Sequence, residues 1–170
     1  MSFWTEPTLE PKRNFRFKIT SDFWDNSDSV WWWAKSIDKP SFNVTNNEYQ
    51  LINHKFKYPG IVTWNNIQIT LVDFDAKKGG PNSGEALEQY LSNAGYGRPD
   101  QAAMLGIGKG NTSAVSDLII QHLNANDKPV DTWTLRGAFI VSVSYSKLDY
   151  SSDELSEVTL EVAYDYADYE

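Results

Sequence analysis

The stretch Val158-Thr159-Leu160-Glu161-Val162-Ala163-Tyr164-Asp165 alternates apolar and polar residues without a slip. Side chains of a strand point to opposite faces in turn, so Val158, Leu160, Val162 and Tyr164 face a core while Thr159, Glu161, Ala163 and Asp165 face water. Glu157, one residue earlier, shares the water-facing side with Glu161 and Asp165, because the three are spaced by four. This is a half-buried strand in an antiparallel sheet with one solvated face.

Working outward, Trp133, Leu135, Phe139, Val141 and Val143 continue in strong β chemistry, and Asn126-Asp127-Lys128-Pro129 reads as the turn before them. Asp117–Leu123 fits a helical stripe (Val115, Leu118, Ile119, His122) as well as a strand (Leu118, Ile120, His122). The turn that follows decides for a strand, making a hairpin. Ile67, Ile69 and Leu71 alternate with Gln68 and Thr70 inside an extended run from Ile61 to Asp73, and a second extended run spans Tyr49 to Tyr58, where Pro59-Gly60 stops it. Phe15, Phe17 and Ile19 alternate with Arg16 and Lys18 as a further strand. One helix is expected: Asn82 with Glu85 forms a capping box, and Leu87, Tyr90 and Leu91 make an apolar stripe before Gly95. Ser21–Ser29 reads as an exposed loop, and the five glycines at 95, 97, 106, 108 and 110 make a long loop of Gly95–Asn111. The sequence predicts one mainly β domain over residues 1–170, with an extended N-terminal segment 1–13.

Composition narrows function by exclusion. With 170 residues, 41% of them hydrophobic, the chain is long enough to bury a core of its own. A net charge of −8 opposes a surface that grips phosphates. With no cysteine there is neither a disulfide nor a thiolate metal site. Residues 1–13 lack the apolar run of a signal peptide or membrane span, so the chain is expected to stay where it is made and Asn43-Val44-Thr45 and Asn111-Thr112-Ser113 are chance sequons. His54 and His122 have no nucleophile pattern beside them and read as structural. Gly106–Ser113 lacks the Lys-Ser/Thr step of a phosphate-binding loop. Asp22, Asp25 and Asp28, like Asp149, Asp153 and Glu154, lack the spacing of a calcium loop. A glycosidase pair of carboxylates has no support beyond their number. No catalytic residue, cofactor or metal ligand is nominated.

Seven tryptophans and nine tyrosines remain without a site. In Val30-Trp31-Trp32-Trp33-Ala34, Trp31 and Trp33 share one strand face and Trp32 takes the other, so at least one indole needs a cover beyond a single core. Aromatic residues are enriched where a partner buries a surface. Trp31, Trp32, Trp33, Tyr58 and Trp64 are the candidate inter-subunit contacts, the Trp cluster having its own core as the alternative destination.

Several pieces, in order, resemble the tail tube proteins of contractile-tailed bacteriophages, especially those of marine relatives of the large coliphages. They are Trp4-Thr5-Glu6-Pro7, Leu9-Glu10-Pro11-Lys12-Arg13, Lys39-Pro40-Ser41-Phe42, Leu51-Ile52-Asn53-His54, Tyr58-Pro59-Gly60-Ile61-Val62-Thr63-Trp64, Leu71-Val72-Asp73, Trp133-Thr134-Leu135, Ala138-Phe139-Ile140, Leu148-Asp149-Tyr150 and Leu160 to Ala167. The resemblance covers the whole chain. It implies a β-sandwich or half-barrel with one flanking α-helix, a fold shared with the inner tube of type VI secretion. It also implies a homohexameric ring that completes a continuous β-barrel channel, with rings stacked inside a contractile sheath.

The implied partners are other copies of the chain, the tail sheath protein, baseplate and tail terminator proteins, and phage DNA passing without sequence-specific binding, with no membrane partner. The implied place is the virion tail, assembled in the host cytoplasm, and no enzyme activity is expected. Glu157, Glu161 and Asp165 are then the candidate lumen lining. The Trp cluster and the Lys77–Gly80 and Gly95–Asn111 loops depart from the family pattern and are candidates for ring-to-ring or sheath contacts. A baseplate tube initiator of the same fold and a carbohydrate-binding β-sandwich with exposed Trp platforms are the alternative readings.

Overall fold

The computed structural model describes residues 12–21, 33–74, 82–96 and 115–170. Among them lie β1 (Phe17–Ser21), β2 (Ala34–Ile37), β3 (Phe42–Leu51), β4 (His54–Trp64), β5 (Ile67–Val72), α1 (Ser83–Asn93), β6 (Ser116–Leu123), β7 (Pro129–Tyr145), β8 (Glu157–Ala163) and β9 (Tyr166–Tyr169). Among the described residues the protein is mainly β with one helix, as the alternation patterns predict.

Strand β7 organises the molecule. Its first half lies between β6 and β9, and from Phe139 onward it pairs with β8. Gly137, between the halves, has φ of 65°, a left-handed conformation that glycine enters without a Cβ clash. Strands change layers at such bends. The companion strand turns at the same level, where Asp165 N–H donates to Arg136 O at 2.9 Å. Seven strands therefore form one rolled sheet with the path β1-β6-β7-β8-β5-β2 and β9 beside β7. It acts as two layers, β1-β6-β7-β9 and β7-β8-β5-β2, and among the described residues it does not close: β1 and β2 are the two ends of the path. This is the half-barrel.

The core lies between the layers. Ile19, Leu118, Ile120 and Leu135 meet Ile67, Ile69, Leu71, Val158, Leu160 and Val162, and α1 adds Ala86, Leu87 and Tyr90. Burying each large aliphatic side chain stabilises the fold by about 1.5–3 kcal/mol. Helix α1 starts at the predicted capping box: Glu85 N–H donates to Asn82 Oδ1 at 2.7 Å and Asn82 N–H to Glu85 Oε2 at 3.2 Å. It stops where Gly95 takes φ of 101° and Tyr96 N–H reaches back to Leu91 O at 3.0 Å. The β6–β7 hairpin is also as predicted, with Asn124 Oδ1 accepting from Asn126 N–H at 2.8 Å and Lys128 N–H at 3.0 Å.

Several expectations are corrected. Pro59-Gly60 does not stop a strand: the chain reverses instead at Ile52-Asn53, and β4 runs through Pro59 to Trp64 opposite β3. Proline is tolerated there because the register shifts between Val44 and Asn46, and a ribbon of two strands has open edges. The run Ile61–Asp73 is two elements, parted at Asn65-Asn66. In β7 the alternation slips at Gly137 and again between Ile140 and Ser142, so Val141 turns outward while Ile140 and Val143 pack on the core. Leu91 is exposed, because the buried stripe of α1 is Ser83, Ala86, Leu87 and Tyr90 and Leu91 falls beside it on the solvent side. Phe15 precedes β1 and is 70% exposed. Ser21, expected in a loop, is the buried last residue of β1. Asp165 lies beyond the end of β8, and β9 follows it. Trp31, Trp32, most of segment 1–13, residues 97–111 of the long loop and Asp22, Asp25 and Asp28 lie outside the described residues.

Candidate assembly and channel surfaces

The layer β7-β8-β5-β2 buries one face and presents the other to solvent. Its pairings align the outward residues into rows. Ser36, Thr70, Thr159 and Ser144 stand opposite one another across all four strands, and Gln68, Glu161 and Ser142 form the next row. Hydroxyl and amide groups hydrogen-bond water without fixing a charge, so the face is wet and weakly interacting. Glu161 accepts from Asn66 Nδ2 at 2.8 Å and Ser142 Oγ at 3.2 Å, both neutral donors. Glu157 sits on the same face and pairs with Lys35 across the layer. Glu157 and Glu161 are thus together as predicted, whereas Asp165 is set at the corner, its carboxylate over Gly137. Thr70 and Thr159 were legible as polar alternating positions, but only the pairing register aligns them with Ser36 and Ser144.

The hairpin β3–β4 forms a separate two-stranded sheet, and every residue of β3 is exposed. Pairing sets Asn47 opposite Tyr58, Tyr49 opposite Phe56 and Leu51 opposite His54. A two-stranded ribbon is marginal alone, and this one holds Phe42, Val44, Tyr49, Phe56, Tyr58, Ile61 and Val62 in water. Thr45 stabilises the irregular middle: its Oγ1 accepts from Ile61 N–H at 2.8 Å. The base is tied down by aromatic contacts, Phe42 to Trp64 at 5.3 Å and Trp64 to Tyr164 at 5.9 Å between ring centroids. Of the candidate contact residues, Tyr58 is 55% exposed on the arm and Trp33 is 46% exposed while stacking on Phe74 at 5.4 Å. Trp64 instead packs against the core.

His54 lies edge-on to Phe56 at 4.7 Å. His122 is buried, and its Nε2 donates to Arg13 O at 2.8 Å. Among the described residues its Nδ1 has no hydrogen-bond partner, and it stands 3.9 Å from Asp131 Oδ2. Asp131 also takes Lys12 Nζ and the Tyr169 hydroxyl, the latter at 2.7 Å. The Lys12 bond first, and then that of Tyr169, hold its carboxyl below the usual carboxylate range. This buried carboxylate clamps the start of the described chain and its last strand onto β7. Among the described residues no group of three or more His, Asp and Glu is placed to hold a metal ion.

A polar sheet face, open sheet edges and an uncovered apolar arm define a subunit made for assembly. The chain belongs to the T4-like virus tail tube protein gp19 family, whose model matches residues 13–168. It is therefore a structural tail tube subunit of a contractile system. No curated protein matches the chain at a significant level. Among solved structures, a chain of the cryo-EM structure of the anti-feeding prophage (AFP) baseplate is similar with a TM-score of 0.67 at 16% identity, over 95% of this chain and 97% of that one. A chain of the sheath/tube terminator of the extracellular contractile injection system PVC gives 0.67 at 18%, over 96% and 99%. One of the PVC sheath-tube complex gives 0.64 at 16%, over 96% and 93%. These likenesses bear on the fold.

Proposed function

We propose that six copies close laterally into a ring whose inner wall is the β7-β8-β5-β2 layer, and that stacked rings form the hollow tube through which DNA leaves the virion. The observation that carries this is the layer's edge geometry. It has four strands, every pairing within it is antiparallel, and its edges are β2 and the second half of β7. An even number of antiparallel strands leaves its two edges running in opposite directions, so β7 of a neighbour beside β2 continues the antiparallel pattern. Closure removes unpaired edges that otherwise template aggregation. The AFP baseplate that contains a similar chain is described as 6-fold symmetrised, which supports six.

Ring closure turns the hydroxyl rows inward. Glu157 and Glu161, with Asp165 at the corner, form an acidic lining. Few cations there means few phosphate contacts, and DNA slides. The β3–β4 arm and Trp33 lie outside this wall and are covered by copies of the next ring or by the sheath, with baseplate and terminator proteins at the two ends. The subunit is not an enzyme, and it assembles in the host cytoplasm before joining the virion. A tube initiator seated in the baseplate is the second reading, favoured by the likeness to a chain of the AFP baseplate.

Negative-stain electron microscopy of the purified protein at rising concentration tests the proposal. Hollow tubes with six-fold end views are expected; single rings that never lengthen point to the initiator, and monomers at every concentration oppose self-assembly. The lining is tested by Glu161→Lys particles, which are expected to grow normal tubes and deliver DNA more slowly. Unchanged delivery removes the electrostatic part.

A further inference from the structure

We infer that the acidic outer face of α1 docks into the cleft between β1 and β2 of the neighbouring copy, locking adjacent subunits laterally. This rests on the ring reading above and names the surfaces that meet behind the paired edges.

The rolled sheet leaves a cleft of about 600 Å³ where its two ends approach without pairing. The cleft is lined by Phe15, Phe17, Ile37, Ile120 and Trp133, with Lys39 among its polar residues. Phe15 is mostly exposed there, and Phe17, Ile37 and Trp133 are only partly covered. The polar lining carries Asp38 beside Lys35 and Lys39, with Lys35 already paired to Glu157, so the cleft is chiefly an exposed apolar edge of the core.

The occupant follows from where the helix sits. Among the described residues β7 pairs with β8 alone from Phe139 onward, and Ile140 donates its N–H to Tyr90 Oη at 3.3 Å. Helix α1 therefore flanks the free edge of β7, on the core side of the layer. Any arrangement that brings this edge beside β2 of a neighbour also brings α1 beside that neighbour's cleft, because β2 supplies Ser36 and Ile37 to it. Chemistry agrees. The solvent side of α1 carries Glu85, Glu88, Gln89, Leu91 and Ser92, and no basic residue lies in its last turn. Leu91 and, just past the helix, Tyr96 are exposed apolar groups that match the cleft floor.

The absence of cysteine makes a clean test available. Lys39→Cys subunits and Leu91→Cys subunits are mixed, assembled and treated with a short bis-maleimide, with assembly followed by electron microscopy in the same samples. A covalent dimer that needs both variants is expected, and the doubly substituted chain should give a ladder ending at the closed ring. Rings or tubes without cross-linked dimers, in this pair and in Phe15→Cys with Tyr96→Cys, overturn the docking while leaving the ring reading intact. If no rings form in the unsubstituted protein, the ring reading fails and the docking falls with it.

Discussion

The Asp165 carboxylate lies over Gly137 at the corner of β7, so close that a Cβ on Gly137 would stand 2.6 Å from Asp165 Oδ2. The bend of β7 and the break between β8 and β9 are one joint, cross-linked by the bond from Asp165 N–H to Arg136 O. Gly137→Ala meets both the carboxylate and the left-handed backbone, where strain costs about 1–3 kcal/mol. Urea unfolding followed by Trp fluorescence should show a loss of that size. An unchanged midpoint would mean that the corner is not held by Gly137.

The clamp at Asp131 predicts a dependence on acid. The folded carboxyl is held below the usual range by Lys12 and Tyr169, so an unfolded aspartate, with a pKa of about 3.9, takes its proton first. The contribution is fully present above that pH and is lost as pH falls through the folded value. Denaturation below about pH 4 should therefore lose stability more steeply in the natural chain than in Asp131→Asn, which is expected to be weaker already at pH 7. Equal acid slopes would show that Asp131 does not couple to folding.

Gly60 separates folding from assembly. A Cβ there would come within 2.3 Å of Thr45 Oγ1 and 3.0 Å of Thr45 O, so Gly60→Val distorts the middle of the β3–β4 arm. The arm lies outside the core sheet, and the core midpoint should move by less than about 0.5 kcal/mol, as for other changes remote from buried groups. Tube growth is expected to fail in light scattering and microscopy. Normal tubes from this variant would remove the arm from the assembly contacts.

Asn82→Ala removes the side chain that accepts the Glu85 N–H and should cost about 1 kcal/mol. Because α1 carries Ala86, Leu87 and Tyr90 into the core, the loss should appear in the whole unfolding transition. A helical signal that melts early and alone would instead make α1 a separate unit.

Local chemistry determined much of this protein. Alternation in Val158–Val162 and Ile67–Leu71, the capping box at Asn82 and the turn at Asn126–Pro129 are each complete within a few residues, so strands, helix and hairpin were legible without the fold, and motif order carried the family. What tertiary structure alone decided depends on pairing between distant segments. Only the register of β2, β5, β8 and β7 aligns Ser36, Thr70, Thr159 and Ser144, because strand faces are local whereas rows are not. The reversal at Ile52-Asn53 escaped the pattern because both faces of the β3–β4 arm are exposed, and without burial no alternation is imposed. Asp165 left its strand because Gly137, 28 positions earlier in the chain, bends the partner strand beneath it, and Leu91 turns outward because the core takes the stripe Ala86, Leu87 and Tyr90 of α1.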